Sequence, residues 1–266
     1  MTFLIRAMRV AGAIMTIGAP LAAQTIGAPR PGVYGFGIEV MRAQIRSGLD
    51  ISGVAVVLVG HAELRPGLRL LLDLPFGYAK SRESGKSSST IGNPYLGLQL
   101  RNGALQFDAG GRLPLASPSL AGAAVGAADF DRSEAYLPDL TTLSGVVRLA
   151  TDQTRNFGVA GFAGIEYSII SDAEIENELL VVYGFEAVRS TETLRLGARL
   201  NGLLTPEIDA SFNDNSLHQL GFFADFGRGR ARPGVQLRLP LDQDSRDGIL
   251  WIGGVGLHVV LGRTTR

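Results

Sequence analysis

Among the side chains able to carry covalent or metal chemistry, the three histidines come first: His61, His218 and His258. On a strand, residues two apart share a face, so His61 and Glu63 would point the same way. Two ligands fall short of a zinc site, and the pair reads either as a metal half-site or as a solvated polar pair. Ser216 and His218 share a face in the same manner, and a nucleophile beside a base suits hydrolysis of a lipid ester. The sequence offers no third group to orient His218 and no donor for an oxyanion. The chain has no Cys, which excludes disulfides and thiolate metal sites. "GFGIEVMRAQ" (35–44) contains glycines but opens a strand and not a helix, so it is not a phosphate loop. No cofactor is expected.

The larger chemical signal is a set of charged residues that fall opposite runs of leucine. Arg101, Arg112, Arg148, Arg195, Arg199 and Arg238 make one group; Asp73, Asp108, Glu166, Glu186 and Asp225 make the other. If that face encloses a lumen, these residues line it. Two arrangements are then open. The arginines form a ladder that attracts anions, as charged rings do in selective pores, or the acids neutralise them in a salt-bridged, closed interior. Lys+Arg and Asp+Glu both count 25, so no nucleic-acid footprint is visible. "RGRARPG" (228–234) reads as a basic turn.

The elements that must position these residues are strands. From about Gly35 the chain alternates on a two-residue beat. It predicts twelve strands at 35–42, 51–64, 67–80, 91–101, 104–115, 141–151, 156–168, 177–188, 193–204, 215–226, 234–242 and 249–262. Leu68, Leu70, Leu72 and Leu74 oppose Arg69 and Asp73; Val235, Leu237 and Leu239 oppose Gln236 and Arg238. Asn102-Gly103 is a tight hairpin signal between "YLGLQLR" and "ALQFDAGG". Short links such as Arg65-Pro66-Gly67 alternate with long polar ones such as "SRESGKSSST" (81–90) and "PEIDASFNDN" (206–215). That rhythm is the signature of a membrane barrel with short turns on one rim and long loops on the other. On the leucine face charge is confined to strand ends (Arg42, Lys80, Arg263), as lipid requires: a cation at mid-bilayer costs about 2–4 kcal/mol.

Three features complete the reading. "GVAVVLVG" (53–60) and "ELLVVYGF" (178–185) are apolar on both faces, which also suits a buried core. Pro75, Pro114 and Pro240 sit near the far ends of strands, where pairing ends or bulges. The long segment 116–140, rich in Ala and Gly, is either a constriction folded into the lumen or an external loop.

Residues 1–23 have Arg6 and Arg9 before an apolar stretch ending Leu21-Ala22-Ala23. This is the layout of a cleavable secretory signal peptide. Its removal would leave 23 basic residues against 25 acidic ones. Residues 24–34 are expected as a periplasmic segment and 35–266 as the barrel.

"IGNPYLGLQL" with its NG turn, "GGRLPLA" and "RPGVQLRLPLDQ…GVGLHVVLG" resemble the transporter-like outer-membrane barrels grouped with phenol meta-pathway proteins. The resemblance covers about a third of the mature chain. It implies a barrel of about twelve strands that transports small, often hydrophobic, compounds. Outer-membrane barrels of bacteria usually close on an aromatic residue read by the assembly machinery. This chain ends "VVLGRTTR", so recognition would rest on Leu257, Val259 and Leu261.

The expectation is an all-β, closed, antiparallel up-and-down transmembrane barrel of about twelve strands in the outer membrane. Its expected partners are outer-membrane lipid, the barrel-assembly machinery and a small-molecule solute, with no nucleic acid. Passive transport is the first function. A structural barrel without an open pore, a lipid-modifying enzyme and a soluble secreted β-sandwich are the alternatives.

Overall fold

The two-residue alternation becomes one antiparallel sheet that closes on itself. The computed structural model describes residues 34–46, 51–81, 83–126, 128–151, 156–170, 177–206, 215–227 and 229–261. The expected signal peptide and Arg263 lie outside them. The strands are β1 (Tyr34–Ile45), β2 (Ile51–Arg65), β3 (Leu68–Ser81), β4 (Ser87–Ile91), β5 (Tyr95–Asn102), β6 (Leu105–Arg112) and β7 (Leu140–Ala150). They continue with β8 (Phe157–Ile170), β9 (Glu178–Ser190), β10 (Leu194–Leu204), β11 (Ser216–Phe226), β12 (Ala231–Pro240) and β13 (Ile249–Leu261).

Each strand pairs with its sequence neighbour, except that β3 pairs with β5 and β1 pairs with β13 as well as β2. Twelve strands thus form the ring, and β4 is a short addition. Closure gives backbone N–H and C=O groups partners without water, the condition for spanning a bilayer with strands. A single closed sheet replaces the two packed layers that a sandwich would require.

The leucine face points outward. Leu98, Leu196 and Leu237 are 47%, 46% and 40% exposed, whereas Asp108 on the opposite face is 7% exposed. Nearly every strand adds large apolar side chains to this outer belt, among them Phe36, Leu58, Phe107, Ile165, Phe185, Phe222 and Val255. A water-soluble monomer rarely exposes apolar patches beyond a few hundred Å², so the solvent of this face is acyl chain. Aromatic side chains edge the belt: Tyr34, Phe157 and Phe226 at the short-turn end, Tyr78, Tyr167, Tyr183 and Trp251 at the long-loop end. No helix among the described residues is long and apolar enough to cross a membrane.

Several boundaries differ from the sequence expectation for identifiable reasons. The predicted strand 91–101 splits at Gly92-Asn93-Pro94, and part of "SRESGKSSST" folds back on β3 as β4. Pro75 marks the switch: β3 pairs with β5 up to Asp73 and with β4 from Phe76, so the missing N–H falls between partners. Pro240 ends β12, and Pro114 lies beyond β6 instead of within it. At the Asn102-Gly103 hairpin, Asn102 pairs with Leu105, so the two loop residues are Gly103 and Ala104. Gly103 takes a φ of 59°, which only glycine adopts without strain.

Candidate functional site: a plugged, charged lumen

Segment 116–140 folds into the barrel. It forms a short helix, α1 (Leu120–Gly126), then a 3-10 segment at Phe130–Tyr136, interrupted at Arg132 by a backbone φ of −137°. Ala121, Val125, Ala128, Ala135 and Tyr136 are all at most 1% exposed. Val125, Ala128, Ala135 and Tyr136 pack with Met41, Ala55, Ile249 and Ile252 from the wall. This explains why "GVAVVLVG" is apolar on both faces: one side meets lipid and the other meets the plug. The approach is close. A Cβ on Gly53 would lie 2.7 Å from the Ala124 carbonyl oxygen.

Polar contacts fix the second half of the plug. Arg132, 0% exposed, places Nη2 2.6 Å from Glu39 Oε2 of β1 and Nε 2.7 Å from Asp129 Oδ2. Arg238 of β12 reaches Asp131 at 2.7 Å and Asp129 at 3.4 Å. Arg112, at the end of β6, donates to Glu134 Oε1 at 2.7 Å and to Asp73 Oδ2 at 3.4 Å. Asn201 of β10 donates to Asp131 at 3.2 Å.

Asn93 is the hub. Its amide nitrogen donates to the carbonyls of Glu134, Leu137 and Leu140, and its amide oxygen accepts from the backbone N–H of Leu115 and Ala116. Both ends of the plug are therefore tied to one fully buried side chain. Loop backbone groups of this kind usually pair with water, and here the Asn93 amide takes that place.

Burial shifts the plug's acids. It pushes Glu134 up to about 7 against the pull of the Arg112 guanidinium. Asp129 is raised for the same reason, although Arg132 and Arg238 oppose it. For Arg132 burial acts in the lowering direction, but the Asp129 and Glu39 carboxylates outweigh it and keep the guanidinium charged.

A second cluster lies nearer the short turns. Glu186 of β9 is surrounded by Arg148 of β7 (2.8 Å), Arg195 of β10 (3.7 Å) and Arg199 of β10, the last in a close ion pair. Arg195 also reaches Asp225 of β11 at 3.6 Å. Directly toward the long loops from this cluster, Val146, Phe162, Leu180, Val182 and Leu203 form a buried apolar layer on the inner wall. That layer accounts for the two-sided apolar run in β9.

The eleven charged residues expected in the lumen therefore separate. Arg112 and Arg238 bind the plug, with Asp73 paired to Arg112 behind it; Arg148, Glu186, Arg195, Arg199 and Asp225 form the second cluster. Asp108 accepts from Gln106 at 2.8 Å. Glu166 is buried on the inner wall, within electrostatic reach of Arg112 and Glu134. Arg101 is exposed at the short-turn rim. Apart from Arg101, whose Nε donates to the Gly103 carbonyl, these arginines are paired with acids and not stacked as a bare ladder. Asn93, Asp129, Asp131, Arg132 and Glu134 were not anticipated as site residues, although "GNPY" and the charged run "DFDRSE" (129–134) within an Ala/Gly-rich segment were visible signals.

Two of the three histidines find partners, and His258 does so by placing Nε2 3.4 Å from Glu39 Oε1. His218 faces outward on β11; its Nδ1 lies 3.0 Å from Asp242 Oδ1 and its Nε2 2.7 Å from the Tyr183 hydroxyl. Asp242 is thus the orienting group missing from the sequence reading. Tyr183 crosses over Gly202 to reach His218, and a Cβ at 202 would collide with its ring. His61 and Glu63 gather no further ligand: Glu63 accepts a 3.4 Å bond from the Gly67 N–H. Among the described residues no group of three or more acidic or histidine side chains is arranged to hold a metal ion.

No family model matches the sequence, and no curated protein matches it. Solved structures do match in fold. The COG4313 outer membrane channel from Pseudomonas putida F1 has a TM-score of 0.62 at 12% identity, covering 91% of this chain and 100% of that one. LpxR from Salmonella typhimurium has a TM-score of 0.51 at 11% identity, covering 85% and 100%. The translocator domain of the autotransporter NalP from Neisseria meningitidis has a TM-score of 0.50 at 10% identity, covering 98% of each chain. At these identities the likeness establishes the fold, that of the outer-membrane β-barrels.

Proposed function

We propose that this chain is an outer-membrane channel for passive movement of small solutes, closed at rest by residues 116–140. Short turns face the periplasm and long loops the exterior, as in bacterial barrels generally. The observation that carries the reading is the chemistry of the plug's contacts. Five of its charged or amide anchors, Arg112, Arg132, Glu39, Arg238 and Asn93, are buried and polar. Desolvation cancels much of the Coulombic gain of such pairs, so these anchors hold the plug by less than their number suggests. The similarity to the Pseudomonas putida outer membrane channel supports transport, and the sequence motifs support a place among the phenol meta-pathway-like barrels. Export by the signal peptide and insertion by the barrel-assembly machinery belong to the same reading.

The test is solute flux. Liposomes holding the whole chain should swell slowly in isosmotic sugars or amino acids, and those holding a variant with residues 117–138 replaced by a short Gly-Ser turn should swell fast. Equal, negligible swelling of both, with the barrel folded, would leave a purely structural role.

The Tyr183–His218–Asp242 chain favours a second reading, hydrolysis of lipid esters at the outer leaflet. In that case His218→Ala should abolish release of fatty acid from phospholipid vesicles. No release from the unaltered chain would remove this reading.

A further inference from the structure

The charges of the lumen are not evenly divided along its axis. In the half toward the short turns the inward positions carry Arg69, Arg101, Arg148, Arg195, Arg199 and Arg232. The acids of that half are Glu63, Asp108, Glu186 and Asp225. In the half filled by the plug the order reverses. Glu39, Asp73, Asp129, Asp131, Glu134 and Glu166 stand against Arg112, Arg132 and Arg238. One half is cationic and the other anionic.

We propose that the short-turn half is a receiving vestibule for small monocarboxylates, held at Arg148, Arg195 and Arg199. The proposal rests on the channel reading and names its solute class. Glu186 shows what these guanidiniums accept, since they already converge on one carboxylate from two other strands. They also hold the accessible side of the cluster. The side chains of Arg148 and Arg199 are 14% and 11% exposed, whereas that of Glu186 is 0% exposed. An anion entering from the periplasm meets guanidinium before carboxylate. The planar fork of arginine suits a carboxylate, with two parallel N–H donors. The low-dielectric wall concentrates the field of the excess cations along the path. The anionic plug beyond is the opposite of what a carboxylate requires, so the anion is held in the vestibule until the plug leaves.

Two measurements separate this proposal from the channel reading. In planar bilayers under a KCl gradient, the plug-excised variant should show a reversal potential displaced toward that of chloride. Benzoate added on the short-turn side should block the current, and inorganic phosphate should block it less. Arg148→Gln together with Arg199→Gln should move the reversal potential toward potassium and weaken the block. Glu186→Gln, which removes the resident carboxylate and keeps its shape, should strengthen it. A conducting but cation-selective variant, or block unchanged by these substitutions, would overturn the vestibule while sparing the channel. If the plug-excised barrel does not conduct, the channel reading fails. Saturation-transfer NMR of benzoate on the folded whole chain then decides: transfer lost in the double Arg variant sustains the anion site, and no transfer in the unaltered chain overturns it.

Discussion

Arg132 in the plug and Glu39 on the first strand of the ring meet at 2.6 Å across 93 residues of sequence. Both are fully buried, and besides each other Arg132 reaches Asp129 and Glu39 reaches His258. Removing one partner of a buried ion pair costs about 3–5 kcal/mol, because the survivor stays desolvated without its counter-charge. The first prediction follows: Arg132→Met should release the plug and raise bilayer conductance severalfold, with the barrel intact by circular dichroism. Adding Glu39→Gln should restore much of the closure, since one of the two carboxylates that lose Arg132 is then neutral and the other, Asp129, keeps Arg238.

Asn93 supports the second prediction. Each buried backbone group that loses its partner costs about 1–3 kcal/mol. Asn93→Ala orphans the N–H of Ala116 and leaves that of Leu115 only the Leu113 carbonyl, so hydrogen exchange should accelerate at both and most at Ala116. Asn93→Asp keeps the acceptor and loses the donors, so it should protect those two amides while loosening Glu134 to Leu140. Uniform exchange in both variants would remove Asn93 as the hub.

The sequence and the structure divide the work unevenly, and the reason is physical. Alternation exposes strands because the side-chain period of a strand is two, and it exposed nearly all of this ring. Leu98 facing lipid and Asp108 facing inward could be read from neighbours alone. The plug could not, because its residues are buried by partners far away in sequence. Asp129, Arg132 and Glu134 look like an ordinary solvated run until Glu39, Arg238 and Arg112 are placed beside them. The two-sided apolar runs 53–60 and 178–185 were the legible trace of an occupied interior. Likewise His218 was visible, but Asp242 joins it only because β12 lies against β11.

The third prediction concerns pH. Burial raises Glu134 to about 7, so the docked plug holds a proton there that the released plug would lose. Closure is therefore favoured most at low pH and weakens as pH rises through about 7. Asp73 and Glu166 share the same Arg112, so added negative charge there finds little compensation. Conductance of the unaltered chain should rise between about pH 5 and pH 8. Glu134→Gln, neutral throughout, should lose most of that rise; an unchanged profile would assign the titration elsewhere.

The fourth prediction tests the lipid-facing wall. Leu58 lies outward in the middle of β2, opposite Leu74 and Ile38 in the neighbouring strands. Leu58→Arg should cost about 2–4 kcal/mol in refolding from urea into vesicles. A change to Arg at Tyr34, on the rim, should cost about 0–1 kcal/mol. Equal costs would contradict a hydrocarbon belt centred on Leu58.

The occupied lumen itself is tested most directly by one chemical probe. The chain has no Cys, and Ser133 in the plug is 4% exposed, so Ser133→Cys places a single, nearly isosteric thiol inside the barrel. Labelling by a membrane-impermeant maleimide, applied to proteoliposomes, should be slow in that variant and fast once Arg132→Met or Asn93→Ala is added. Immediate labelling of Ser133→Cys alone, at the rate of a cysteine on an external loop, would contradict the plugged barrel.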